Sequence, residues 1–85
     1  MSTEILALRT EIDNIDKEVL QLLEDRFEIV KEIGEVKKAD VIEVKDNERE
    51  QQLLESRILE TGMNQKFVTR LFSTILEESR RLQSE

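Results

Sequence analysis

An arginine interrupts an otherwise apolar stripe in the first half of the sequence. In the segment "QLLEDRFEIV", residues 21–30, Arg26 falls where the pattern of apolar residues predicts another Leu or Ile. A guanidinium removed from water without a partner costs several kcal/mol, and a bound carboxylate offsets that cost through paired hydrogen bonds. Arg26 is therefore a candidate anion ligand. The alternative is that it extends along the edge of a helical bundle or pairs with Asp or Glu on a neighbouring helix.

Two further cations, Lys37 and Arg9, lie on the same predicted helix. Lys37 follows Arg26 by eleven residues, which is about 20° around a helix and about 16 Å along it, so both can reach one small ligand. Lys37 also suits the negative end of the helix dipole, whatever its function. Arg9 precedes Arg26 by seventeen residues, or about 25 Å, which is too far for one small metabolite. Arg9 therefore either serves a site built largely on a second chain or pairs with Asp13 at the surface.

Polar residues also stand where the second predicted helix begins and where the third ends. They are Asp46, Arg49 and Glu50 in "KDNERE", and Ser79 and Gln83 in "ESRRLQSE". Acids suit a helix N-terminus, and Asn47 with Glu50 is a possible capping box, so a purely structural interpretation is open for the first group. An ordinary helix end is an equally open interpretation of the second. Taken with the cations, these residues suit a small dianionic ligand, with no evident nucleophile or metal cluster among them.

Three helices are expected to position these side chains. Apolar residues recur every three or four positions over more than four heptads, which predicts a helix from about residue 3 to 38. The stripe comprises Ile5, Leu8, Ile12, Ile15, Val19, Leu22, Ile29, Ile33 and Val36. "KADVIEVKD" predicts a short extended connection. A second helix is predicted from Asp46 or Asn47 to a stop at Gly62, and a third from an N-cap at Asn64 to about Leu82.

The fold class predicted from these elements is all-α, with three helices in one domain over residues 1–85. The chain has no Pro and only two Gly, and Leu, Ile, Glu, Lys and Arg dominate it. The third helix carries its own inward stripe: Phe67, Val68, Leu71, Phe72, Ile75 and Leu76. Because the first helix is much longer than either partner, a single chain would leave part of its stripe in water. We therefore expect an intertwined homodimeric helical bundle.

Composition excludes several classes of function. The chain contains no Cys and no His, so thiolate nucleophiles, Cys-zinc sites and the commonest general base are missing, and we expect no metal or cofactor. A net charge of −7 argues against a nucleic-acid partner. No apolar run approaches the roughly 20 residues that span a bilayer, and the N-terminus does not resemble a secretory signal. We expect a soluble cytoplasmic protein without a membrane partner.

The sequence resembles the all-helical (AroQ-class) chorismate mutases over nearly its whole length. The matching stretches are "LRTEIDNIDKEVLQLLEDR", "IGEVK", "DNERE" and "RLFSTILEESRRLQ". Each motif is weak alone, but their combination at these spacings is distinctive. The resemblance implies a dimer of three-helix chains that rearranges chorismate to prephenate, the branch step toward Phe and Tyr. It also implies that no cofactor takes part, because a Claisen rearrangement is intramolecular.

The resemblance implies a role for each polar residue singled out above. Arg26 and Arg49 would bind the carboxylates of chorismate, with Arg9 contributed across chains and Ser79 assisting. Lys37 and Gln83 would donate hydrogen bonds to the ether oxygen of the bond that breaks. Glu50, with Asp46 nearby, would bind the ring hydroxyl.

Three alternatives are kept beside this assignment. An isochorismate pyruvate lyase, which forms salicylate, would share the fold and much of the polar site. A non-catalytic helical-bundle interaction module would tolerate neutral replacement of Arg26, Lys37 and Arg49. A catalytically poor member of the family would need a partner protein to order its site.

The connection "ADVIEV" lacks the Gly and Pro expected of many relatives, which leaves its conformation open.

Overall fold

The computed structural model describes residues 2–85, and these form three α-helices without any strand. Helix α1 is Thr3–Ala39, α2 is Asn47–Leu59 and α3 is Gln65–Gln83. The predicted all-α fold with a long first helix is therefore confirmed. Within the described residues, no helix is both long enough and apolar enough to cross a membrane.

Helix α1 determines the length of the molecule. Its 37 residues correspond to about 55 Å at 1.5 Å per residue, and the longest dimension of the chain is 57 Å. The helix begins after Ser2, whose hydroxyl accepts a hydrogen bond from the backbone N–H of Ile5 at 3.3 Å. The predicted span of residues 3 to 38 is confirmed to within one residue.

The end of α1 is closed by a Schellman motif that the sequence did not predict. The N–H of Ile42 donates to the carbonyl of Lys37 at 2.7 Å, and the N–H of Val41 donates to Lys38 at 3.3 Å. The motif places Val41 at φ 55°, a left-handed conformation usually taken by glycine. A β-branched residue disfavours that conformation, which is why "KADVIEVKD" indicated an extended connection and not a turn.

The ends of α2 require two corrections to the sequence-based expectation. Asp46, and not an Asn47–Glu50 box, caps the helix, because its carboxylate accepts a hydrogen bond from the N–H of Arg49 at 3.0 Å. The helix ends at Leu59, before the predicted stop at Gly62, which does not adopt positive φ. The N–H of Glu60 bonds to two preceding carbonyls and tightens the last turn, so the chain leaves the helix before Gly62.

Helix α3 holds the chain together by packing against both other helices. Its N-cap is Asn64, as predicted, with its side chain accepting from the N–H of Phe67 at 2.9 Å. The buried apolar side chains are Val30 from α1, Leu53 from α2, and Val68, Ile75 and Leu76 from α3. This small core lies beside the C-terminal half of α1, around the polar ends of α2 and α3.

The N-terminal half of α1 packs against neither of the other helices. Every residue from Thr3 to Leu22 is exposed. Its apolar stripe is 46–67% exposed at Ile5, Leu8, Ile12, Ile15, Val19 and Leu22. A continuous apolar surface of this length is rare on a monomer and is typical of a surface that another protein chain covers.

Gly34 lies directly against the backbone of the last turn of α3. A Cβ built on Gly34 would lie 2.9 Å from Cα and 3.1 Å from the carbonyl oxygen of Gln83. Because both contacts are to backbone, a larger side chain could be accommodated only if α3 moved away from α1. Gly34 therefore sets the distance at which Gln83 faces α1.

Gly34→Val is expected to lower the free energy of unfolding by about 2 kcal/mol, because the added methyl groups overpack the α1–α3 contact. Urea unfolding at a fixed protein concentration measures this change. Gly62→Val is the matched control, since a Cβ at Gly62 meets nothing within 4 Å; its effect is expected within about 0.5 kcal/mol of zero. Equal effects of the two substitutions would contradict close packing at Gly34.

Candidate active site

A cavity of about 250 Å³, lined by both charged and apolar side chains, lies where α1, α2, α3 and the connection after α1 meet. Seven of the eight residues selected from the sequence line it: Arg26, Lys37, Asp46, Arg49, Glu50, Ser79 and Gln83. The apolar part of the lining comes mainly from Val30, Ile33, Val44, Leu53 and Leu76. The volume suits a single small metabolite.

Arg26 reaches the cavity from the middle of α1. Its Nη1 donates a hydrogen bond to Ser79 Oγ at 3.0 Å, and the buried Ser79 hydroxyl in turn donates to the carbonyl of Ile75 at 2.7 Å. Burial lowers the pKa of the Arg26 guanidinium from its ordinary value, and the positive charges of Arg57 and Arg49 lower it further. No carboxylate among residues 2–85 forms an ion pair with Arg26, so pairing with Asp or Glu does not explain its position.

Lys37 extends into the cavity from the last turn of α1, on the same side of the helix as Arg26. Its Nζ donates to the carbonyl of Val44 at 2.7 Å, while its own carbonyl accepts from Ile42 in the Schellman motif. An ammonium group has three donors, so two remain for a ligand after the bond to Val44. The connection therefore fixes the position of Lys37 without neutralising its charge.

The first turn of α2 contributes three charged side chains. The Asp46 carboxylate is occupied in part by capping the helix, and Glu50 Oε1 accepts from Arg80 Nη1 at 2.5 Å. The Arg49 guanidinium forms no ion pair with any of the described side chains. Both carboxylates of the cavity thus have partners of their own, whereas Arg26, Lys37 and Arg49 are not paired with either.

Gln83 closes the cavity from the last turn of α3. Its side chain is buried, and its Oε1 has no hydrogen-bond partner among the described residues. A buried amide oxygen without a partner costs about 1–3 kcal/mol, so Gln83 lowers the stability of the fold. Rotation of the amide by 180° presents its NH₂ group, with two donors, at the same place.

The electrostatics of the cavity oppose those of the whole chain. Four cationic side chains and two carboxylates line it, for a formal charge of +2, whereas the chain carries −7. Apolar walls lower the local dielectric and strengthen each interaction between these charges and a ligand. The arrangement matches a small dianion that also carries hydrogen-bonding oxygens.

Arg9 is the one selected residue that lies outside the cavity. It is exposed on the N-terminal half of α1, seventeen residues before Arg26. At about 25 Å along the same straight helix, it cannot reach the cavity of its own chain. This leaves open the two interpretations made from the sequence, a contribution to a second chain or a surface role.

Arg80 and the Val44 carbonyl were not selected from the sequence. Arg80 is three residues before Gln83 and four after the buried Leu76, so helical spacing brings it near their face. That signal was available and was missed. The role of the Val44 carbonyl was not foreseeable, because it depends on the left-handed turn at Val41.

Comparison with known proteins agrees with this site. The family described as "Chorismate mutase type II" matches residues 8–84. The bifunctional chorismate mutase/prephenate dehydratase of Buchnera aphidicola (Schizaphis graminum) is 40% identical over 79 residues, covering 89% of this chain. The enzyme of the same description from Escherichia coli K12 is 38% identical over 79 residues, covering 88% of this chain. This chain spans about a fifth of the length of each of these relatives, 20% in both cases.

Two solved structures match the whole fold. Chorismate mutase (form II) from Thermus thermophilus superimposes with a TM-score of 0.93 at 30% identity, covering 96% of both chains. A conserved hypothetical protein from Pyrococcus furiosus superimposes with a TM-score of 0.83 at 34% identity, covering 98% of this chain and 99% of that one. With its sequence matched from residue 8 to 84 and its three helices superimposed throughout, the chain belongs to the chorismate mutase type II family.

Proposed function

We propose that this chain is a chorismate mutase, acting as a single domain over residues 1–85. It rearranges chorismate, a dianion with a ring hydroxyl and an enol-pyruvyl ether, to prephenate on the route to Phe and Tyr. The observation that carries the proposal is the cluster of Arg26, Lys37 and Arg49 around one cavity without carboxylate partners. Cations that line a cavity without carboxylate partners are stabilised by an anionic ligand. The highly charged surface suits an aqueous compartment, and we infer a cytoplasmic location.

The reaction breaks a C–O bond and forms a C–C bond within one molecule, so the protein transfers no atom. It must hold the substrate in the compact conformer in which the two reacting carbons meet. Arg26 and Arg49 bind the two carboxylates, and Ser79 orients Arg26 through their hydrogen bond. Glu50 accepts a hydrogen bond from the ring hydroxyl, with Asp46 nearby. Together these contacts fix both ends of the substrate.

Lys37 and Gln83 act on the bond that breaks. Negative charge develops on the ether oxygen as the C–O bond lengthens, and donors already aimed at that oxygen stabilise the transition state more than the ground state. Lys37 has donors left after its bond to Val44, and the buried Gln83 amide has no competing partner among the described residues. The unsatisfied amide is thus explained as a group that is satisfied in the transition state.

We infer that the active protein is a homodimer in which α1 of each chain serves both sites. The exposed apolar stripe of the N-terminal half of α1 needs a cover of similar length. In an antiparallel pair of such helices, Arg9 of one chain is brought toward the cavity of the other. Two-fold symmetry then completes both cavities in the same way.

Mixing two inactive variants tests the contribution of Arg9 across chains. Arg9→Ala and Arg26→Ala homodimers are each expected to be nearly inactive. After subunit exchange about half of the dimers are mixed, and each mixed dimer has one intact site, so about a quarter of wild-type activity returns. The measurement is chorismate consumption before and after exchange.

Mixing Lys37→Ala with Arg26→Ala is the matched control for this experiment. Both residues belong to the same chain's cavity, so no mixed dimer has an intact site and no activity returns. Absence of recovery with Arg9→Ala as well would contradict a site shared between chains.

The proposed activity is tested by incubating the chain separately with chorismate and with isochorismate. Consumption of chorismate with formation of prephenate supports the mutase, whereas salicylate from isochorismate would identify a lyase. No turnover of either substrate, with no thermal shift by a dianionic transition-state analogue, would indicate a non-catalytic bundle. Activity restored only by a second protein would indicate a mutase that depends on a partner.

A further inference from the structure

The contact between Arg80 and Glu50 joins the two helices that close the cavity. Glu50 lies in the first turn of α2 and Arg80 in the last turn of α3, thirty residues apart. The Nη1–Oε1 distance is 2.5 Å, and the two side chains are only 30% and 20% exposed. Unlike the other ion pairs of the described chain, which link residues three or four apart within a helix or at its end, this pair links two helices.

Glu50 shares the cavity with four cationic side chains but forms an ion pair with only one of them, Arg80. The same cavity holds Lys37 and Arg49, and each of these cations attracts a carboxylate. In the structure Glu50 pairs with Arg80 instead. Only Oε1 is engaged, and Oε2 accepts no hydrogen bond from the other described residues.

We propose that Arg80 is a positioning residue: it holds Glu50 so that Oε2 faces the cavity and accepts a hydrogen bond from the ring hydroxyl of the substrate. This inference rests on the proposed function. It adds a residue on α3 to the recognition of the hydroxyl, which the family resemblance assigned to Glu50, with Asp46 nearby.

The kinetic consequence differs from that of a group acting on the breaking bond. The ring hydroxyl is bound in the ground state and in the transition state alike, so weakening its contact raises KM and changes kcat little. Arg80→Met, which keeps an unbranched apolar stem, is expected to raise KM about tenfold, the usual effect of losing a hydrogen bond to a charged group, with kcat within about threefold. Arg80→Lys retains the charge and is expected to recover part of the loss.

Arg81→Met is the matched control. Arg81 is the next residue, but its side chain is 58% exposed and pairs with Glu78 and Glu85 on the outer face of α3. Its loss is expected to leave KM and kcat unchanged. Circular dichroism and the elution volume in gel filtration establish that Arg80→Met remains folded to the same extent as Arg81→Met.

Two further measurements separate positioning from direct attraction of the dianion by Arg80. In the Glu50→Gln background, Arg80→Met is expected to add less than about twofold to KM, because its effect passes through the carboxylate. A substrate analogue without the ring hydroxyl, but with both carboxylates, is expected to bind wild type and Arg80→Met equally. If the Arg80→Met effect is undiminished in the Glu50→Gln background or with the analogue, Arg80 acts on the carboxylates and the inference is wrong.

The failure of this inference is distinguishable from the failure of the proposed function. Wild-type turnover of chorismate is measured first, and its absence would remove the function together with the role of Arg80. An active wild type in which Arg80→Met behaves like Arg81→Met would leave the mutase assignment intact and overturn only the positioning role.

Discussion

Replacing Lys37 with alanine is expected to lower kcat by about 10²–10³-fold, the usual effect of removing one preorganised donor to a developing oxyanion. In the proposed function Lys37 is the charged donor to the ether oxygen, and its charge would matter most when the C–O bond is partly broken. The loss should therefore fall on kcat more than on KM. Steady-state rates of chorismate consumption measure both.

The lower kcat of the Lys37 variants must not result from unfolding of the chain. The carbonyl of Lys37, not its side chain, closes the Schellman motif, so Lys37→Ala should leave α1 and its turn in place. Lys37→Met, which keeps most of the apolar stem, is expected to be as inactive as Lys37→Ala. Both variants should match wild type in helical content and in oligomeric state.

Lys38→Ala is the adjacent control for the same experiment. Lys38 lies in the same last turn of α1 but is exposed, and its Nζ donates to the backbone carbonyl of Glu85 outside the cavity. It tests how much a cation at the end of the helix contributes by itself, and its kcat is expected to stay within about twofold of wild type. A wild-type kcat in Lys37→Ala would overturn the assignment of the site.

Sequence patterns predicted most of the fold because local and tertiary requirements agree along this chain. The apolar stripe of α1 predicted its span to within one residue, and the side chain of Asn64 marked the start of α3. The prediction that α2 stops at Gly62 was wrong, because a hydrogen-bonded turn at Glu60 ends the helix without a left-handed residue. At Val41 local preference and the observed backbone disagree, so no reading of propensity would have predicted the Schellman motif.

The sequence predicted which residues line the cavity better than it predicted their hydrogen-bond and ion-pair partners. Spacing along α1 correctly put Arg26 and Lys37 beside one cavity, since both belong to one rigid helix. The Asp46 cap on α2 is local, because its partner is the N–H of Arg49 within "KDNERE". The pairing of Glu50 with Arg80, thirty residues later, does not follow from spacing within that segment.

Replacing Arg26 is expected to separate activity from stability. Arg26→Ala should lower kcat/KM by about 10²–10³-fold, because it would remove the proposed contact between the partly buried guanidinium and a substrate carboxylate. Arg26→Leu, which restores the missing step of the apolar stripe, should be equally inactive. Chorismate consumption at substrate concentrations well below KM measures this ratio directly.

Although Arg26→Leu lowers kcat/KM, it is expected to leave the free energy of unfolding unchanged or to raise it. The pKa of the folded Arg26 guanidinium is lowered, first by burial and then by Arg57 and Arg49, so its protonated form is less favourable in the folded chain than in the unfolded one. A guanidinium stays protonated at neutral pH, so the whole of this cost is present there. Arg26→Leu removes the cost and should unfold at the same or a higher urea concentration than wild type.

Ligand binding distinguishes an Arg26 that binds the substrate from an Arg26 at a surface position where any residue is tolerated. A dianionic transition-state analogue at about a hundred times its Kd should stabilise wild type by about 2.7 kcal/mol, and should stabilise Arg26→Leu far less. Arg81→Leu replaces an exposed arginine on α3. It should retain wild-type activity and be stabilised by the analogue as much as wild type. If Arg26→Leu unfolds at a markedly lower urea concentration, Arg26 supports the fold, and its place in the apolar stripe is structural. A stable, inactive Arg26→Leu that does not respond to the analogue would mean that the interruption of the stripe is maintained by the ligand.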